Sequence, residues 1–421
     1  MSARSDEFGP AVTGADGGVA AYAEVNTGAL PPGSGVPPPL APPPRDPVVE
    51  NAVDAVVIDE RMRARGASYF SLVRRKFAKS VSGMVGLVLV TLLILMAVFA
   101  DFLAPYDPKA NFEGFSPPTR ITWHTEAHGW SLRPHAIPIR ETGELDPVTF
   151  QPIVGPDTEN PVPIRFFVEG ARYRLLGLIP ARTRLFGTPE GEASVHVLGT
   201  DKFGRDLLSR AFVGSRLTLT IALIVVTITT VIGTFLGIVS GYVGGRFDNW
   251  FQRVVELFLA FPELPLYLAL ASIIPLTVPS KVFIVFVILI LAALRWARLS
   301  REVRGKTLSL RQLDYVRAAE SVGASNGRII GRHILPNVMS HVIVAVTLLI
   351  PEVVLLESFL GFLGFAVKPP LISWGLMLQD TSNFSTLGSY PWILAPVGFV
   401  LVTVFAFNAF GDGLRDAIDP Y

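Results

Sequence analysis

No cysteine occurs among the 421 residues, which excludes disulfide frameworks, thiolate metal sites and cysteine nucleophiles. Charge is also scarce. Asp, Glu, Lys and Arg together make 17% of the chain, against roughly a quarter in an ordinary soluble domain. Neither sign dominates, with 36 basic residues against 35 acidic, so no polyanion is implied and nucleic acid is not an expected partner. What the chain has in excess is apolar side chains, 50% of the total. That excess calls for a solvent other than water, and membrane lipid is the partner that composition itself implies.

The apolar residues are gathered into runs. Residues 1–60 are rich in proline and glycine and carry too little apolar surface to offset the entropy of ordering; they read as a disordered arm. A basic segment follows, with Arg61, Arg63, Arg65, Arg74, Arg75, Lys76 and Lys79, and then an uncharged stretch from Ser80 to Ala100. At 1.5 Å per residue that stretch covers a bilayer core, so residues 61–104 are expected to hold a basic cytoplasmic segment and the first transmembrane helix. From 105 to 197 hydropathy falls and short strand-like runs appear, such as Ile164–Val168 and Tyr173–Ile179. This reads as a β-rich domain inserted between two spans. His124, His128, His135 and His196 lie here, without an H-E-x-x-H pattern; surface histidines are expected, and no metal or cofactor.

Residues 198–420 are expected to supply five more spans. The second lies within Leu217–Gly245 and carries Gly233, Gly237 and Gly241 at every fourth position, a ladder that lets another helix come close. The third, about Val254–Ile274, is interrupted by Glu256, Pro262, Glu263 and Pro265. The fourth covers about Val282–Trp296, the fifth starts after Pro336, and the sixth is about Trp392–Phe410. Between the fourth and fifth, residues 299–336 are dense in arginine and read as a cytoplasmic loop. The fold class is therefore an all-α polytopic membrane protein with six transmembrane helices and an inserted extracytoplasmic β-rich domain, both termini being cytoplasmic. Glu256, Pro262, Glu263, Glu352 and Glu357 are candidate pathway-lining residues. For Glu256 the alternative is a place near the interface; for Glu352 and Glu357 a solvated interfacial place is favoured.

Within the arginine-rich loop, Ser309 and Gln312 suggest a capping box opening a helix over Leu310–Val322. Gly323 would stop it, and a second short helix is expected over Asn326–Ile334. Such a compact basic surface suits either a groove of another protein or lipid headgroups. Gly305-Lys306-Thr307 imitates part of a phosphate-binding loop, yet Ser300 stands where the pattern needs glycine. No catalytic residue is expected, and the chain is not expected to be an enzyme.

The run Asp314-Tyr315-Val316-Arg317-Ala318-Ala319-Glu320-Ser321-Val322-Gly323, with His333-Ile334-Leu335-Pro336 after nine residues, resembles the EAA loop of ABC importer permeases. Ala318, Ala319, Gly323, Leu335 and Pro336 fall in register with that pattern; Arg317 stands in place of its glutamate and His333 in place of its isoleucine. Leu198–Arg210, Pro370–Leu378 and Gly411–Pro420 resemble segments of the dipeptide/oligopeptide branch, its C-type permease. The resemblance implies a place in a bacterial-type inner (plasma) membrane, a homologous second permease subunit, two cytoplasmic ATPase subunits and an extracytoplasmic substrate-binding protein that delivers peptide. It also implies that Ala319 to Gly323 dock in an ATPase cleft, with Arg317, Glu320 and Arg328 pairing with charges around it. The alternative is a secondary transporter driven by an ion gradient through Glu256, Glu263, Glu352 or Glu357.

Overall fold

A computed structural model describes residues 69–125, 129–145, 152–188, 193–275, 277–365 and 367–418. The proline-rich arm, Arg61, Arg63, Arg65, His128 and Pro420 lie outside the described residues.

Helix α1 (Tyr69–Lys79) ends in the basic residues Lys76 and Lys79. Ser80 then caps α2 (Val81–Val98), its hydroxyl accepting from the Gly83 amide at 3.2 Å. A serine before an uncharged apolar run fixes where this helix begins. A short turn, α3 (Ala100–Leu103), leads into the insertion.

The insertion consists of antiparallel ladders. Strands β1 (Arg120–Thr125), β2 (Gly129–Ile137) and β5 (Val162–Pro163) form one sheet in the order β1-β2-β5. Strands β3 (Ile139–Leu145) and β4 (Pro152–Pro156) pair, as do β6 (Arg165–Leu175) and β7 (Ile179–Gly187). Its apolar centre is small, formed by Ala136, Ile164 and Val195, so polar ties hold it in place. Arg184 is buried and donates through Nη1 to the Ala104 and Tyr106 carbonyls at 2.6 and 3.0 Å. His196 donates or accepts through Nδ1 at 2.9 Å from Asp206. His135 and His196 are thus buried, contrary to the expectation of surface histidines. His196 is enclosed by the Tyr106 and Phe112 rings, and this aromatic cage excludes water from a side chain that composition alone would place outside. Among the described residues no group of three His, Cys, Asp or Glu side chains is placed to hold a metal.

The remaining helices are α4 (Leu207–Val243), α5 (Gly245–Ala260), α6 (Glu263–Ser272), α7 (Ser280–Arg311), α8 (Asp314–Ser321), α9 (Asn326–Ile329), α10 (Leu335–Phe362), α11 (Trp374–Leu378), α12 (Phe384–Ser389) and α13 (Ala395–Ile418). Among the described residues five helical stretches are long and apolar enough to cross a membrane: Val81–Val98, Leu207–Val243, Ser280–Arg311, Asn326–Phe362 and Pro391–Ile418. The expected third span is instead a bent pair, α5 and α6, whose axes turn by 82°. Pro262 and Pro265 explain the break, because proline lacks the amide a continuous helix needs and pushes its predecessor out of helical backbone.

Three other expectations are corrected. The fourth helix does not end near Trp296 but runs on to Arg311. Ser309 lies inside it and its hydroxyl donates to the Gly305 carbonyl, so it opens no capping box; α8 begins after Leu313 without a side-chain cap. Nor does a short second helix stop at Pro336. A π-helical turn, Ile330–Ile334, joins α9 to α10, and Pro336 sits in the first turn of α10, where its missing amide is not needed.

Close glycine contacts knit the bundle. A Cβ on Gly237 would lie 2.6 Å from the Ser300 carbonyl oxygen, and one on Gly233 3.0 Å from that of Trp296. The glycine ladder of α4 is therefore spent within the chain, against α7. Gly86 of α2 meets the Phe410 backbone of α13, where a Cβ would come within 2.2 Å of its amide nitrogen. The core between these helices includes Ile221, Val225, Leu291, Val353, Leu360 and Trp374. The outward faces carry Leu223, Val231, Phe235, Leu401 and Phe405, each well exposed. This is the surface of a chain that lipid surrounds.

Candidate functional site

The segment from Asp314 to Pro336 is a helix–Gly–helix hairpin set on the ends of α4, α7 and α10. Val316 and Ile329 are wholly buried and pack with Ile238 and Tyr242 of α4, Val303 and Leu310 of α7, and Val338 and Val342 of α10. Gly323 has φ +83°, a conformation that favours glycine. Its amide donates to the Glu320 carbonyl at 2.9 Å, and that of Ala324 to the Ala319 carbonyl at 3.0 Å. This pair of bonds is a Schellman motif, with Ala319 and Ala324 supplying its apolar contact. Asn326 accepts from the Tyr242 hydroxyl at 3.2 Å, tying the second limb to α4.

With its inner face so anchored, the hairpin presents the rest outward. Asp314, Tyr315, Arg317, Ala318, Glu320, Gly323, Arg328 and Pro336 are exposed, while Ala319 and Leu335 are half-buried. Val322 is 89% exposed, which for a valine at a helix end is a contact left open. Among the described residues, chain neighbours aside, nothing comes within 4 Å of a Cβ built on Gly323 or Gly327. The outer surface thus offers small side chains, free space and charges of both signs.

The candidate acidic residues separate into three environments. Glu256 is half-exposed and pairs with Arg253, one turn away, at 2.7 Å. Glu263, the first residue of α6 after Pro262, lies 3.5 Å from Arg295 and 3.7 Å from Arg298. Glu352 of α10 is ion-paired with the same Arg295. Arg295 therefore brings Glu263 and Glu352 together from two helices. Glu357 departs from the favoured interfacial reading: it is fully buried, with Oε2 3.3 Å from the Thr218 hydroxyl. Five residues on a helix turn the direction by about 140°, so Glu352 and Glu357 cannot share a face.

Sequence reasoning missed Arg295, which stands one residue before the expected end of the fourth span. The period that reveals it is Arg295, Arg298, Leu299, Glu302, one continuous helical face. Also missed was Asp248, which accepts from Arg304 at 2.6 Å through both oxygens and from Ser240 at 2.5 Å, fastening α5 to α7 and α4. Asp206 caps α4, accepting from the Ser209 amide at 2.7 Å while holding His196. The segment Leu198–Arg210 is accordingly a capping device for α4, with Asp201 bonded to Arg205 at 2.7 Å. Gly305-Lys306-Thr307 lies in the middle of helical backbone and forms no loop.

Comparison with known proteins places these parts. Residues 233–421 match the family described as binding-protein-dependent transport system inner membrane component. Residues 68–118 match the N-terminal TM domain of oligopeptide transport permease C. The oligopeptide transport system permease protein OppC of Escherichia coli K12 is 43% identical over 228 residues, 54% of this chain and 73% of that one. OppC of Bacillus subtilis is 34% identical over 239 residues, 56% of this chain and 76% of that one. The dipeptide transport system permease protein DppC of Alkalihalophilus pseudofirmus is 39% identical over 232 residues, 55% of this chain and 74% of that one. Among solved structures, inward-facing MetNI methionine ABC transporter superposes on 48% of this chain and 93% of that chain, with TM-score 0.37 and 17% identity, too distant to carry an argument. With its apolar bundle, its hairpin and these relatives, the chain belongs to the inner-membrane components of binding-protein-dependent ABC transport systems, in the branch of the OppC and DppC permeases.

Proposed function

We propose that this chain is the permease subunit of an ATP-driven importer of di- or oligopeptides, and that its hairpin, Asp314 to Pro336, is the part a cytoplasmic ATPase grips. The single observation that carries the reading is the hairpin's division of faces. Its inner side is cemented to the ends of three spans, and its outer side offers exposed small residues and unburied apolar surface. A body so built moves with the helices beneath it. ATP-driven closure of two ATPases would then tilt α4, α7 and α10 and switch the access of the passage. The peptide substrate follows the names of the relatives, and the rest of the assembly is a second permease and an extracytoplasmic binding protein.

In this reading the bent α5–α6 pair is the sixth crossing. The hairpin and both termini are then cytoplasmic and residues 105–197 extracytoplasmic, as the arginine-dense segments favour.

Docking is tested at Ala318, which is exposed in regular helix. A bulky change at Gly323 would mix docking with backbone strain, whereas Ala318→Trp adds bulk on an unstrained position. Ala318→Trp is expected to insert and fold normally, yet to lose co-purification with the ATPase subunits and peptide uptake. Retention of both by the variant defeats the docking role.

A further inference from the structure

Helix α1 carries Arg74, Arg75, Lys76 and Lys79 and no acidic residue. Its packing is one-sided. Val73 and Phe77, four positions apart, are half-buried, and the Phe77 ring meets that of Phe410 in α13 at 5.6 Å. At about 100° per residue, Arg75 and Lys79 fall on the opposite side of the helix, flanked by Arg74 and Ala78. All four are exposed. The side chains of Arg74, Arg75 and Lys79 make no ion pair or hydrogen bond among the described residues. Asp412 and Asp416 near the end of α13 stand beside Arg415, and neither pairs with α1.

The neighbouring span fixes how far these cations lie from the bilayer. Ser80, in extended backbone, separates α1 from the 18 uncharged residues of α2, about 27 Å of helix. A hydrocarbon core is about 30 Å thick, so both ends of α2 reach its faces. From Val81 back to Arg74 is no more than about 12 Å of chain, close to one screening length at about 0.1 M salt. Arg74, Arg75 and Lys79 are therefore held beside the headgroups whichever way α1 points. A protein partner would call for apolar anchors at the centre of its contact. None of the described side chains of α1 is a large apolar one standing exposed. Cations without counter-ions or apolar anchors match phosphate oxygens.

We propose that α1 is a binding site for anionic phospholipid, where Arg74, Arg75 and Lys79 hold headgroup phosphates at the rim of the first span. A zwitterionic headgroup carries the same phosphate with its charge cancelled, so a preference between the two classes reports the cations. The inference rests on membership of a membrane family and not on the nature of the solute.

The absence of native cysteine makes the test clean. Ala78→Cys places one thiol on the cationic face, labelled with a neutral fluorophore in the assembled transporter in nanodiscs. Quenching is compared for phosphatidylglycerol and phosphatidylcholine bearing the same acyl-chain nitroxide. Phosphatidylglycerol is expected to reach half-quenching at an about five-fold lower mole fraction, the weight of one cation at a charged surface. Arg74→Gln, Arg75→Gln and Lys79→Gln together level the two lipids. Salt at about 1 M, where the screening length falls to about 3 Å, does the same without any change in α1 itself, so the reading stands even where the triple variant fails to assemble. Equal quenching by the two lipids overturns the site, as does a preference that survives salt or the triple substitution. Quenching by neither lipid would mean that a protein subunit covers α1, and overturns it too.

Discussion

The Glu357 carboxylate is enclosed where α4, α10 and α11 meet, against the Thr218 hydroxyl, whose Oγ also accepts from the Trp374 amide at 3.1 Å. Removing the carboxyl group would leave that hydroxyl with one partner fewer and open a void. Glu357→Ala is therefore expected to lower stability by about 1–3 kcal/mol, read as a fall in the thermal unfolding midpoint of the purified complex. Glu357→Gln keeps the volume and an acceptor for the Thr218 hydroxyl, so its midpoint should move little; a loss equal to that of alanine would show that the charge itself is needed. Gly323 makes the complementary case. At φ +83° with open space around its Cα, Gly323→Ala is opposed by backbone alone, by about 1 kcal/mol. A Gly323→Ala protein as stable as the parent would mean that the Schellman turn does not persist in solution.

Among whole elements, the α4–α7 seam depends on contact without intervening side chains. Gly237→Leu drives a side chain into the Ser300 carbonyl and Val303, and overpacking of this kind destabilises by about 1–3 kcal/mol or more. Gly305→Leu, on an exposed position of α7 with nothing within 4 Å, is the control and should be neutral in the same melt. The ladder of glycines was legible in the sequence because its spacing is helical; its partner was not, since a run of small residues does not say which helix approaches. The apolar helix α2 was legible as a run, for an uncharged stretch admits few other readings, whereas the capping role of Ser80 was not read. The extent of α7 was hidden for the opposite reason. Arg298, Arg301, Arg304 and Lys306 read as a loop by hydropathy, yet arginine, lysine and leucine are good helix formers, and nothing between Trp296 and Arg311 breaks the backbone. The cluster around Arg295 was obscured with it. Its two carboxylates were visible as candidates, but their common partner appears only when helices distant in sequence come together.

Taken whole, the molecule leaves apolar side chains open both on the insertion and on the hairpin. Leu178 at the β6–β7 turn is 81% exposed, and Val322 on the hairpin 89%. In sealed cells a membrane-impermeant thiol reagent should label Leu178→Cys, and should reach Val322→Cys only after permeabilisation. The reverse pattern would invert the proposed orientation and remove the ATPase from the hairpin. Six crossings were expected from composition; among the described residues five helical stretches are long and apolar enough to cross, beside one bent pair. The prolines were plain in the sequence, but the angle they produce depends on packing.

One helix joins these two regions. α4 has 37 residues, a rod of about 55 Å. Asp206 and His196 grip its first turn, and Asn326 meets Tyr242 in its last. With no proline inside it, such a strut has little give. Leverage applied to one extremity emerges at the other, so in the proposed import cycle the posture of the sheeted insertion should act as a remote gauge of nucleotide binding.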